Sequence, residues 1–147
     1  MTPTKILGLL IALLAFPAWA GPAEEAVAVV DQWAATYSAN DRNALAKLYA
    51  PDALLLGTTD PLATRGSEAI HDYFSALDKG GRRNTIQEKN VIVLGDDAVA
   101  VAGFYDFARK EQNYEPRPSR FTFVVAKRDG KWLIVHHHSS PRSTQRQ

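Results

Sequence analysis

The sequence predicts a single α+β domain, with three N-terminal helices packed on one face of a curved, mostly antiparallel sheet. Three observations carry that reading. Apolar residues recur at helical spacing up to Gly80, and alternate from Asn84 onward. The alternating segments are joined by short turn signals, as in an antiparallel meander. The chain has 147 residues and no cysteine, so one core must be held by packing alone.

The first segment, "MTPTKILGLLIALLAFPAWA", has one positive charge at Lys5, an apolar run from Ile6 to Phe16, and small residues at Ala18 and Ala20. This is the pattern of a secretory signal peptide over residues 1–20. The run is too short for the ~20 residues that span a bilayer. Residues 21–147 are then the mature domain, exported to the periplasm or beyond, with no membrane attachment after cleavage. The 17 Lys+Arg residues include Lys5, and its removal leaves a balance with the 16 Asp+Glu. A neutral domain offers no electrostatic case for nucleic acid.

"GPAEEAVAVVDQWAATYSAN" reads as the first helix. Pro22 suits its first turn, Glu24 and Glu25 complement its dipole, and Val27, Val30, Trp33 and Tyr37 form its apolar stripe. Asp41 caps a second helix, "RNALAKLYA", which Pro51 ends. "ALLLG" from Ala53 is a short strand, and "TTDPLATRG" a polar loop in which Thr58, Thr59 and Asp60 make a turn. Ser67 caps the third helix, with Ile70, Phe74 and Leu77 inward and Gly80 at its end. Four strands follow, at 84–94, 98–110, 120–128 and 131–140.

Neither face of the last strands is polar along its length. Val99, Val101, Tyr105 and Phe107 oppose Ala98, Ala100, Ala102 and Phe104, while Leu133, Val135, His137 and Ser139 oppose Trp132, Ile134, His136, His138 and Ser140. The helices can cover one face. The other calls for a second copy of the chain, at about 800 Å² per partner, so a homodimer or larger ring through the sheet is expected.

The run His136-His137-His138 continues the alternation of the preceding strand, so it is structural and not a tag. His136 and His138 share a face and could reach one ion, but zinc needs at least three protein ligands. No metal spacing ties them to His71, Asp52 or Asp106, so neither metal nor cofactor is expected. An acid–base reading takes His137, Tyr105 and Asp52 as base and hydrogen-bond donors in a cavity under the helices. No glycine-rich phosphate loop or nucleophile elbow is present.

Several motifs resemble a known family. Gly95-Asp96-Asp97-Ala98, Arg128 to Trp132, the closing Val135-His136-x-His138-x-Ser140, and the His71/Phe74 pair on the third helix are similar to the association (hub) domain of calcium/calmodulin-dependent protein kinase II. That domain lies within the cone-shaped nuclear transport factor 2-like superfamily. The resemblance spans roughly residues 23–141 and implies self-association through the sheet and a deep pocket between sheet and helices. Positions where the kinase hub carries ligand-binding arginines correspond here to Tyr105, Phe123 and Ser139. The implied pocket, with Asp52, His71 and His137 as further candidates, is therefore aromatic and neutral, suited to an uncharged small molecule. The resemblance favours a binding or assembly module. The alternative is a cofactor-independent isomerase, cyclase or dehydratase of the kind the superfamily hosts. This sequence has neither a kinase domain nor a basic amphipathic calmodulin-target segment.

Overall fold

A helix that starts at Pro22 needs no N–H in its first turn, and an asparagine that ends it can take the left-handed conformation. Both hold in the computed structural model of the chain, which describes residues 21–143; the segment read as a signal peptide lies outside the described residues. Helix α1 (Pro22–Ala39) ends at Asn40, at φ 60°. The Asn40 side chain accepts from Arg82 N–H at 2.9 Å and donates to Arg82 O at 3.1 Å, fixing the helix end to the strand that starts there. Asp41 caps α2 (Arg42–Ala46) through Ala44 N–H at 2.8 Å.

The second helix is shorter than expected, and Pro51 does not end it. Leu48 O accepts from Ile134 N–H, and Tyr49 already opens strand β1 (Tyr49–Leu56). Pairing with the last strand outweighs local helical spacing here. Pro51 sits in a register break between Tyr49 and Leu54, where no ladder N–H is required of it. The loop after β1 contains a strand that the sequence did not reveal, β2 (Ala63–Arg65), antiparallel to β1. Helix α3 (Ser67–Tyr73) is entered from Gly66, not Ser67, and tightens into a 3₁₀ helix over Phe74–Lys79.

Strands β3 (Arg82–Gly95), β4 (Ala98–Arg109), β5 (Arg117–Arg128) and β6 (Lys131–Pro141) form an antiparallel meander. β1 joins it in parallel with β6, so the order is β2-β1-β6-β5-β4-β3. This is the α+β arrangement expected: helices at the N-terminus, folded over the concave face of one curled sheet. α1 lies across that face and buries Ala26, Val30, Trp33 and Ala34 against Val99, Val101, Tyr105, Phe123, Val125 and Ile134. The far end of β3 outruns the helices, leaving Val91, Ile92, Val93 and Leu94 exposed.

One expectation about β6 is corrected. Val124 pairs with His136 while Val125 pairs with Ile134, so Val135 is an extra residue, a β-bulge. The bulge resets the alternation: Ile134, His137 and Ser139 are buried on the helix side, and Leu133, His136, His138 and Ser140 lie on the other side. A second bulge, at Gln87 in β3, brings the Glu88 carbonyl against Gly103 of β4.

A side chain at Gly103 would overlap the Glu88 carbonyl oxygen and press on the Phe121 ring. The Gly103→Ala variant is expected to lose about 1–3 kcal/mol, the usual cost of overpacking, in urea denaturation. An unchanged midpoint would contradict that packing.

Candidate functional site

The sheet's central strands deliver their large side chains to one point beneath α1. His137 from β6 is 2 % exposed there. Its ring stacks on Phe123 of β5 at 4.0 Å between centroids, with the Trp33 indole edge-on at 5.0 Å. Both ring nitrogens have partners: Tyr49 Oη lies 2.9 Å from Nδ1, and Tyr105 Oη 3.2 Å from Nε2.

The direction of these bonds follows from one donor. Trp33 Nε1–H can only donate, and does so to Tyr49 Oη at 2.7 Å. Tyr49 then spends its own proton on His137 Nδ1, since a buried hydroxyl proton without an acceptor is costly. The neutral imidazole therefore carries its proton on Nε2 and donates to Tyr105. Burial holds the His137 pKa well below the ordinary histidine value, with His136 and His138 adding to the effect. Burial likewise pushes the Tyr49 and Tyr105 phenols up, opposed at Tyr49 by the Trp33 hydrogen bond and at Tyr105 by one with Ser139. Ser139 Oγ in turn is hydrogen-bonded to Thr58 Oγ1.

The sequence-derived candidates thus separate. Tyr105, Phe123, His137 and Ser139 come together in the core. Asp52 does not join them: it is exposed on β1, beside Pro51. His71 links α3 to α2 through Asn43 at 2.9 Å. Trp132 lies beneath the start of α1, donating to Glu25 at 2.6 Å. His136, His138 and Ser140 are half-exposed on the sheet's outer face. Burial lowers the His136 pKa, and His138 lowers it further. Among the described residues, no three histidine, aspartate or glutamate side chains cluster as metal ligands do.

The expected neutral pocket is also corrected. Trp33, Tyr105 and Phe123 fill the space between sheet and helices, so the void opens nearer the end of the cone. There a cavity of about 540 Å³ is walled by Tyr37, Tyr73 and Phe74 on the helix side and by Phe107 on the sheet. Thr58, Thr59 and Asp60 border it, and Asp60 Oδ1 also caps Leu62 N–H at 2.9 Å, closing a turn. Three arginines line it as well: Arg82, Arg109 and Arg117. Burial raises the Tyr37 phenol pKa, and the nearby charges of Arg82 and Arg109 oppose the rise. Neither Tyr105 nor His137 lines this cavity. The arginines were not singled out from the sequence, yet strand parity could have found them. Arg82 precedes Asn84 and Ile86, Arg109 follows Tyr105 and Phe107, and Arg117 precedes Ser119 and Phe121, each in the core-facing alternation.

Comparison with known proteins agrees with this fold. The family model described as the calcium/calmodulin dependent protein kinase II association domain matches residues 22–143. A Xanthomonas campestris crystal structure, described as such an association domain, is similar at 37 % identity and a TM-score of 0.76, over 89 % of this chain and 94 % of that one. An NTF2-like protein with a cystatin-like fold from Novosphingobium aromaticivorans shares the fold at 17 % identity and a TM-score of 0.70, over 83 % and 82 % of the two chains. So does a ketosteroid isomerase-like protein from Erwinia carotovora atroseptica, at 17 % identity and 0.71, over 82 % and 96 %. No curated protein matches the sequence.

The neutral His137 sets a pH dependence. The unfolded chain takes up a proton near the ordinary histidine pKa of about 6.5, whereas the folded chain resists it. Stability is therefore full above about pH 6.5 and falls as the pH drops below it, by up to ~1.4 kcal/mol per pH unit for each proton taken up. His136, shifted in the same direction, adds to this fall. Urea unfolding between pH 8 and pH 5 should show that limb, and His137→Gln should reduce its slope. The same slope in both proteins would remove His137 as its source.

Proposed function

The chain belongs to the calcium/calmodulin dependent protein kinase II association domain family, and on that premise we propose that it is an exported, self-associating module whose end cavity binds a small molecule. The observation that carries the self-association is the sheet's outer face. Leu54, His136, Val124, Ala100 and Ile92 stand in register across five strands, and Leu56, His138, Thr122, Ala102 and Asn90 form the next row. The middle of the rows is small, with Val124 and Ala100 in one and Thr122 and Ala102 in the other, and α1 packs on the opposite face. A second copy applied there would bury this surface, with the exposed Ile92 continuing it to the sheet edge. The two half-exposed histidines would then lie at the contact.

The acid–base alternative needs His137 and Tyr105 to meet a substrate. They are within hydrogen-bond reach of each other, but both are buried and neither borders the cavity. The geometry therefore favours binding and assembly over catalysis. The signal-like segment supports export, with Gly21 as the first residue of the mature protein.

Size-exclusion chromatography with light scattering should give at least a dimer for the mature protein. Val124→Glu, at the centre of the outer rows, should give a folded monomer with unchanged far-ultraviolet circular dichroism. A wild-type monomer, or an assembly indifferent to the substitution, would refute assembly through the sheet. Intact mass of protein recovered from the cell envelope should begin at Gly21; a mass retaining residues 1–20 would refute cleavage there.

A further inference from the structure

Residues i and i+2 of a strand share a face and stand about 7 Å apart. Beyond the Val135 bulge, β6 therefore presents His136 and His138 together on the sheet's outer face, both half-exposed. Their neighbours in register are neutral: Leu54 and Leu56 on β1, Val124 and Thr122 on β5. Charged groups of this face stand farther off, with Arg65 of β2 beyond Leu54, Arg120 of β5 beside Ser140, and Glu88 of β3 beyond Phe104. Arg142 lies over the Phe104 ring at 3.8 Å. Among the described residues, no carboxylate lies within ion-pair distance of either imidazole. Neither histidine is spent on an ion pair.

The pair is also oriented. A backbone hydrogen bond ties the His136 ring to Leu54, and it favours the protonated ring, as a bond from a ring N–H to a carbonyl does. Burial holds the His136 pKa down, His138 adds to the fall, and the Leu54 bond only opposes it. The ring is therefore neutral at pH 7 and keeps one lone pair. A neutral imidazole whose other nitrogen donates to a carbonyl is the form in which histidine binds a metal, because that bond fixes the tautomer and aims the lone pair. Within one chain the set is incomplete. Among the described residues no third ligand joins the pair, and zinc takes at least three from protein.

A second copy supplies the remainder. β6 is the third of six strands, so a two-fold axis through the middle of the outer face passes beside it and brings two histidine pairs together. Sheets packed face to face stand about 10 Å apart, a gap that imidazoles reaching from both sides can close around a single ion. From this arrangement we infer that the assembly holds a zinc-class divalent ion at its centre, bound by His136 and His138 of both copies, in a site that neither chain forms alone. Four nitrogen donors within an apolar surround of Leu54, Leu56 and Val124 suit zinc. Calcium and magnesium require oxygen ligands, which this set lacks. The inference rests on the self-association proposed above and is independent of the end cavity.

Isothermal titration of the tag-free, chelator-treated mature protein with zinc chloride tests it, with the subunit number of the same samples measured by light scattering. One ion should bind for every two chains, and zinc should hold the assembly together at dilutions where the chelated protein dissociates. Cobalt(II) in place of zinc should give the strong visible absorption of a tetrahedral site. His136→Gln with His138→Gln should retain the far-ultraviolet circular dichroism of the fold and lose both the bound ion and the cobalt band. Ala100→Arg, which keeps both histidines but places a bulky cation on the contact two strands away, should give a monomer without the band. An assembled protein that binds no zinc, binds one ion per chain, or binds it unchanged in the folded double variant would overturn the site and leave assembly through the sheet standing. A protein that stays monomeric with and without zinc would overturn both.

Discussion

Much of the molecule depends on how β6 is threaded through the middle of the sheet. It pairs with β5 on one side and β1 on the other, and Val135 is the residue at which its alternation is reset. Without that bulge, Ile134 and His137 would face opposite sides. With it, both enter the core, and His137 meets Tyr49 and Tyr105 at once. The imidazole joins three strands through two hydrogen bonds and a stack, while Trp33 locks the arrangement to α1. A polar group this deep is tolerable because each of its nitrogens is paired.

The filled centre explains the position of the cavity. In a curled sheet roofed by helices, the free volume is whatever the inward side chains leave. Trp33, Tyr105 and Phe123 occupy the middle, so volume remains where the strands end and the inward residues become arginine, serine and proline. The hydroxyls of Tyr105, Ser139 and Thr58 connect the two regions. Thr58, at the cavity's edge, is thereby connected through hydroxyls to a histidine that does not line the cavity.

The sequence was most informative where structure is local. The helices and the meander follow from spacing, and the core parity of β4 and β5 was read correctly through Tyr105 and Phe123. The closing His-x-His-x-Ser pattern, with Arg128 to Trp132, indicated the family. What escaped was non-local. The parallel pairing of β1 with β6 has no signature near Tyr49, where local spacing still reads as helix, so the Tyr49–His137 bond is not legible in the sequence. The bulge at Val135 carries no glycine or proline to mark it. Tyr105, Phe123 and Ser139 alone suggest a neutral pocket, but the same strand parity continues to Arg109 and Arg117, where the charge reappears.

The β1–β6 pairing also bears on how the chain acquires its structure. Among the described residues, β1 and β2 have no strand partner other than each other until β6 arrives, and β6 is the last strand. Contacts of such high sequence separation form late and slow the search for the native topology. A ribosome-bound chain that has not yet extruded the residues around His137 can close neither its sheet nor its core. That delay keeps the polypeptide pliable until β6 is free to join the sheet.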